Sequence, residues 1–133
     1  MQAGVKHICL ADDDPDDYYL FSRTLKEVNN EVAFTWCNSC DKLLTFLLSD
    51  SNLPDLILLD WNMPRTDGAS CLKKIKQEAS LRHIPVIIFS TASTPAAVKT
   101  AKEFGAHEYL VKPFTISGLK DIIRDLLNHP NKD

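Results

Sequence analysis

Apolar and polar positions along the chain follow two alternating patterns. Runs with almost no polar interruption cover Val5 to Ala11, Val32 to Cys37, Leu56 to Leu59, Ile84 to Phe89 and His107 to Val111. Between and after them, apolar residues recur three and four positions apart. Tyr18, Phe21, Leu25 and Val28 form one such stripe, and Leu43, Leu44, Leu47 and Leu48 a second. Leu72 and Ile75 form a third, and Ile116, Leu119, Ile122, Ile123, Leu126 and Leu127 the last. A short, unbroken apolar run suits a strand buried on both faces, whereas a stripe at helical spacing suits a helix with one face inward. Strand and helix alternate five times. That order predicts an α/β fold: a doubly wound, five-stranded parallel sheet with right-handed crossovers and helices on both faces.

Local signals place the ends of these elements. Asp14 before Pro15 fits an N-cap followed by proline in the first turn, with Asp16 and Asp17 favoured there by the helix dipole. Thr94-Pro95 opens the fourth helix in the same way, and Asn38 or Ser39 caps the second. Gly105 suits a C-cap after Phe104. Lys73, Lys74 and Lys76 read as a solvated helix face. The four histidines, His7, His83, His107 and His129, read as surface residues, and Asn128 to Asp133 as a frayed end.

The strands end in polar residues. The first ends in Asp12-Asp13, the third in Asp60, the fourth in Ser90-Thr91 and the fifth in Lys112. In a parallel sheet these ends share one edge, where open α/β sheets bind their ligands. Three clustered carboxylates repel one another, and a hard divalent cation relieves that repulsion. Mg²⁺ prefers a few carboxylates, waters and a phosphoryl oxygen, so Asp12, Asp13 and Asp60 are candidate ligands, joined by the Asn62 backbone carbonyl. Asp60 then suits a carboxylate nucleophile toward phosphorus, forming an aspartyl phosphate. Lys112 and a hydroxyl from Ser90 or Thr91 would neutralise the phosphoryl oxygens.

Composition narrows the setting. The 133 residues suit one domain, 1–133, with no output domain expected. Apolar residues make up 44% and charged residues 25%, ordinary for a soluble globular chain. A net charge of −3 and a pI near 5.8 give no reason to expect a nucleic-acid partner. No membrane span or signal peptide is evident, so a cytoplasmic protein is expected. Of the four cysteines, Cys9, Cys37, Cys40 and Cys71, none is expected in a structural disulfide in that compartment.

The chain resembles the receiver domain of two-component response regulators, the doubly wound family that includes the bacterial chemotaxis response regulator. The resemblance spans essentially the whole chain. It is carried by Asp12-Asp13, by Asp60-Trp61-Asn62-Met63-Pro64-Arg65-Thr66-Asp67-Gly68, and by Ser90, Tyr109 and Lys112-Pro113-Phe114. It implies a flavodoxin-like fold with strand order 2-1-3-4-5, Mg²⁺ on Asp12 and Asp13, and phosphorylation of Asp60. It further implies Ser90 as switch hydroxyl, Tyr109 as rotating aromatic, Lys112 as phosphate-sensing ammonium and a cis Lys112-Pro113 bond. The domain would then be a regulatory phosphoacceptor, not an enzyme beyond its own phosphorylation and slow dephosphorylation. A sensor histidine kinase or histidine phosphotransfer protein would supply the phosphoryl group. A downstream protein would bind the face of the fourth helix, fifth strand and fifth helix, with Ala97, Lys99, Lys102 and Glu103 exposed. Thr91 departs from the small residue usual in the family and is expected to narrow access. Trp61, beside the acceptor, is expected to report metal binding through its fluorescence.

Other chemistries fit less of the chain. Cys37-x-x-Cys40 follows a strand and opens a helix, as in a thiol-disulfide oxidoreductase, with Pro113 as a cis-proline partner. That reading leaves Asp12, Asp13, Asp60 and Lys112 without a role. Zinc lacks a second ligand pair. A haloacid-dehalogenase-type use of Asp12 and Asp14 conflicts with the cap at Asp14. Flavin phosphate would meet an acidic loop in place of donors and glycines.

Overall fold

The structure, a computed structural model, describes residues 4–49, 52–63, 67–91 and 93–128. Five strands and five helices alternate along the chain. They are β1 (His7–Ala11), α1 (Pro15–Val28), β2 (Ala33–Cys37), α2 (Cys40–Leu47), β3 (Leu56–Leu59), α3 (Gly68–Gln77), β4 (Val86–Ser90), α4 (Pro95–Glu103), β5 (Glu108–Val111) and α5 (Ile116–Asn128). All pairings are parallel, in the order β2-β1-β3-β4-β5. Pro64, Arg65, Thr66, His129 and the tail beyond it lie outside the described residues.

The two faces of the sheet are filled by alternate residues of the same strands, as the two-residue period of a strand requires. Cys9, Ala11, Ile57, Leu59, Val86 and Ile88 pack with Leu43 and Leu47 of α2, Leu72 and Ile75 of α3 and Ala101 of α4. Ile8, Leu10, Leu56, Leu58, Ile87 and Phe89 pack with Phe21 and Leu25 of α1 and Leu119, Ile123 and Leu126 of α5. Inner strands β3 and β4 are buried throughout, while the edge strands β2 and β5 are half-exposed.

The helix starts follow the expected chemistry. Asp14 accepts from the Asp16 amide, Ser39 from Lys42, Asp67 from Ser70 and Thr94 from Ala97, so Ser39, not Asn38, caps α2. Gly105 follows α4 with φ +102°, the left-handed region that glycine enters without strain.

Strands β2 and β5 start one residue later than the sequence pattern, and β1 and β4 start two residues later for identifiable reasons. β1 begins at His7 rather than Val5, because the Asp55 carboxylate takes the Lys6 and His7 amides at 2.8 and 3.1 Å. β4 begins at Val86 rather than Ile84. Lys76 Nζ donates to the carbonyls of Arg82 (3.0 Å) and Ile84 (2.9 Å), fixing that loop. Lys76 is therefore not part of the solvated face that Lys73 and Lys74 form, and its partial burial lowers its pKa. His7 is half-buried, its Nε2 lying 2.8 Å from Thr35 Oγ1, while His83 and His107 are exposed.

Candidate functional site

Backbone ladders bring the strand ends together. The Asp12 amide donates to the Cys37 carbonyl at 3.0 Å, the Asp60 amide to Ala11 at 2.9 Å and the Lys112 amide to Ser90 at 2.8 Å. Asp12, Asp60, Ser90 and Lys112 thus stand on one sheet edge, each one residue from or at the end of its strand. Carboxylate oxygens of Asp12, Asp13 and Asp60 lie within 4.8 Å of one another. Asp12 and Asp60 are buried and Asp13 is exposed.

Lys112 is the counter-charge. Its Nζ donates to Asp12 Oδ2 at 2.6 Å, Asp17 Oδ2 at 2.7 Å and Asp60 Oδ2 at 3.3 Å. Phe89 lies under the ammonium, 6.0 Å from ring centre to Nζ. Burial alone would push the Lys112 pKa down, but bonds to Asp12 and Asp17 and the charges of Asp12 and Asp60 outweigh it and hold the ammonium protonated. Burial pushes Asp12 up to about 6, against the pull of Lys112 and the Asp14 amide. The pair is therefore ionised on both sides at neutral pH.

The other half of the crevice carries the hydroxyls. Ser90 is fully buried, and Asn62 Nδ2 donates to its Oγ at 3.3 Å. A side-chain hydrogen bond also joins Ser90 to Tyr109; burial raises the phenol, and that bond partly opposes it. Thr91 is exposed. The Asn62 amide donates to Asp60 Oδ1 at 3.1 Å, so Asn62 links the acid to the hydroxyl. Trp61 is half-buried and tilted against Tyr109, with ring centres 6.3 Å apart. A glycine is required at 68: a Cβ there would lie 2.6 Å from Trp61 Cα.

A hard divalent cation fits this donor set, since one oxygen from each of the three carboxylates lies within 4.8 Å of the others.

The sequence matches the model of the response regulator receiver domain over residues 8–124. The chain belongs to that family. A receiver is a signalling domain of two-component systems rather than a classical enzyme. This receiver is similar to chemotaxis protein CheY-3 of Vibrio cholerae, 32% identical over 108 residues that cover 80% of this chain and 82% of that protein. It is 30% identical over 118 residues to chemotaxis protein CheY of Pseudomonas aeruginosa, covering 87% of this chain and 94% of that one. Among solved structures, the Mn(2+)-bound form of response regulator Rcp1 matches with a TM-score of 0.76 at 28% identity over 91% of both chains. The phosphorylated cyanobacterial phytochrome response regulator RcpA matches with a TM-score of 0.85 over 96% of both chains; its 24% identity makes that a likeness of fold.

Four expectations are corrected in this receiver. Cys37 and Cys40 do not form a redox pair. Cys40 is in a disulfide with Cys71 of α3, and Cys37 is a buried free thiol hydrogen-bonded to Cys9. Cys40 opens the inward stripe of α2 that continues in Leu43 and Leu47, which turns it toward α3, with 5.8 Å between the two Cα atoms. The thiol-disulfide alternative therefore has no support, and the expectation of no structural disulfide is overturned. The Lys112-Pro113 bond is trans, no cis bond occurring among the described residues. The trans form is the default for X–Pro by about 0.5–1 kcal/mol. Lys112 reaches all three carboxylates from it. Finally, Lys99, Lys102 and Glu103 are exposed on α4, but Ala97 is half-buried.

Two site residues escaped the sequence reading. Asp17, assigned there only to the helix dipole, turns inward to Lys112. Its signal was its phase: it lies four residues before Phe21 on the buried stripe of α1. Trp36 donates from Nε1 to the Asp12 carbonyl at 2.7 Å and stacks on Tyr18, with ring centres 4.3 Å apart. Only the register, which sets Trp36 beside Leu10, reveals that contact.

Proposed function

We propose that the domain is a phosphorylation-dependent switch in which Asp60 accepts a phosphoryl group from a phosphohistidine. The observation that carries this is the convergence of Asp12, Asp13 and Asp60 with Lys112 at the strand-end edge. An Asp60 oxygen forms the new bond to phosphorus as the phosphorus–nitrogen bond breaks. The bonding pair leaves with the imidazole nitrogen, as neutral imidazole when the other ring nitrogen carries a proton. The Asn62 amide on Oδ1 fixes the carboxylate plane, and Lys112 stands ready to neutralise the transferred charge. Asp12, Asp13 and Asp60, with the Asn62 carbonyl, would hold Mg²⁺, which when bound offsets the charge of the phosphoryl oxygens. The domain's own catalysis is confined to this transfer and a slow hydrolysis.

The donor is a sensor histidine kinase or a histidine phosphotransfer protein, and such a donor implies a cytoplasmic setting. Among the described residues no helix is long and apolar enough to cross a membrane. Ser90 is the switch hydroxyl, and its present bonds to Asn62 and Tyr109 are those a phosphoryl oxygen would compete for. Releasing them lets Tyr109 and the chain at Lys112-Pro113 repack, biasing a two-state equilibrium of the α4, β5 and α5 face. A downstream protein reads that face through residues such as Lys99, Lys102 and Glu103. Mg²⁺-dependent labelling by acetyl phosphate, and beryllofluoride binding, should be present in the wild type and absent in Asp60→Asn. A wild type that does neither overturns the reading.

A further inference from the structure

We propose that Asp17 is a positioning residue for Lys112, which parks the ammonium in the resting state and yields it when Asp60 carries a phosphoryl group. The proposal rests on the phosphoacceptor reading of Asp60. An ammonium has three N–H donors, and all three are in use, on Asp12, Asp17 and Asp60. A phosphoryl group on Asp60 adds charge beside the longest of these contacts, 3.3 Å, and Lys112 has no fourth donor to offer. The third donor can pass from Asp60 Oδ2 to a phosphoryl oxygen, and the added charge draws the ammonium toward Asp60 and away from one of its two short contacts.

The two short bonds differ in what their loss would leave behind. The Asp12 side chain is 1% exposed, so water cannot take the place of Lys112 there. The Asp17 side chain is 35% exposed, so water can take over its solvation. Asp17 also sits in the first turn of α1, where the helix dipole favours its charge with or without Lys112. A groove of about 110 Å³, walled by Asp17, Leu20, Phe114 and Ile116, opens beside Lys112 and admits that water. Asp17 is thus the contact that gives way, and its bond opposes the phosphorylated state. The same exchange couples the start of α1 to the chemistry on Asp60.

The test compares beryllofluoride affinity, with Mg²⁺ present, for the whole chain as wild type, Asp17→Asn, Asp17→Glu and Asp16→Asn. Asp16 carries the same charge in the same turn and is exposed, and its backbone amide, which the Asn variant keeps, donates to the Asp14 cap. Asp17→Asn should bind tighter by on the order of tenfold, the factor that accompanies one charge-assisted hydrogen bond. Asp17→Glu should return toward wild type, and Asp16→Asn should change little. Without metal or beryllofluoride, the ¹⁵N signal of the Lys112 ammonium should shift in Asp17→Asn and not in Asp16→Asn, a change that a purely structural role for Asp17 would not produce. Wild-type binding with no tightening in Asp17→Asn, or equal tightening in Asp16→Asn, overturns this proposal alone. A wild type that binds no beryllofluoride overturns the phosphoacceptor reading and this proposal with it.

Discussion

On one side of Asp60, a single ammonium gathers three carboxylates at 2.6, 2.7 and 3.3 Å. On the other side, a buried serine is held by an amide nitrogen at 3.3 Å and by a phenol. The first half is tied by full charges, two of them on the buried carboxylates of Asp12 and Asp60, where loss of the cation leaves a charge uncovered. The second is tied by neutral groups whose bonds are worth about 1 kcal/mol apiece and exchange without stranding a charge. Rigidity where the chemistry is placed and looseness where the response begins is the division of labour a switch requires. In the proposed switch, the resistance to switching would then lie in the charged half.

The sharpest way to break this contrast is to remove the ammonium. In metal-free protein at pH 7, Lys112→Ala should cost about 3–5 kcal/mol in urea unfolding, because Asp12 and Asp60 stay buried without their cation. The loss should shrink toward pH 5, since Asp12, already raised to about 6 by burial with Lys112 in place, then takes up a proton. A loss below ~1 kcal/mol at pH 7 would mean that the two halves are held alike.

The titration of Asp12 sharpens the same point on a smaller scale. Its folded value, about 6, lies above its ordinary 3.8, so the folded state binds the proton more tightly. The stability this provides is fully present below 3.8 and is lost as the pH rises through about 6. In metal-free wild type that loss is about 3 kcal/mol. It should appear as a pH slope in the difference between wild type and Asp12→Asn unfolding free energies. Identical slopes in the two proteins would show that Asp12 is not the buried acid of the pair.

The same division explains what could be read from the sequence. The fold was legible because each inner strand is an apolar run and the starts of α1, α2 and α4 carry caps, Asp14, Ser39 and Thr94. Asp12, Asp60, Ser90 and Lys112 were legible as a group because parallel pairing alone puts strand ends on one edge. Contacts that depend on where a side chain turns were not. Asp17 had a sufficient local explanation in the helix dipole, which hid its bond to Lys112. Lys76 looked like its exposed neighbours Lys73 and Lys74, although it caps the carbonyls of Arg82 and Ile84. Cys40 pairs with Cys71, 31 residues away, where the sequence offered the nearer Cys37. The cis bond at Pro113 rested on resemblance, with no residue of this chain demanding it.

The smallest effects belong to the hydroxyl half, where Ser90 and Thr91 separate stability from rate. Ser90→Ala removes a fully buried hydroxyl and leaves Asn62 and Tyr109 to find other partners, so it should cost about 1 kcal/mol. Thr91→Ala touches an exposed side chain and should stay within about 0.5 kcal/mol of wild type. Their kinetics should diverge in the opposite sense. Thr91 follows the last residue of β4 at the solvent side of the crevice, so trimming it widens the approach to Asp60 and should speed labelling by acetyl phosphate. Ser90→Ala should leave that rate nearer wild type while weakening the response of Tyr109, read as the change in its ring signals on beryllofluoride binding. An unchanged labelling rate in Thr91→Ala would remove Thr91 from the entrance. A full Tyr109 response in Ser90→Ala would show that the aromatic answers to the charged half and not to the hydroxyl it contacts.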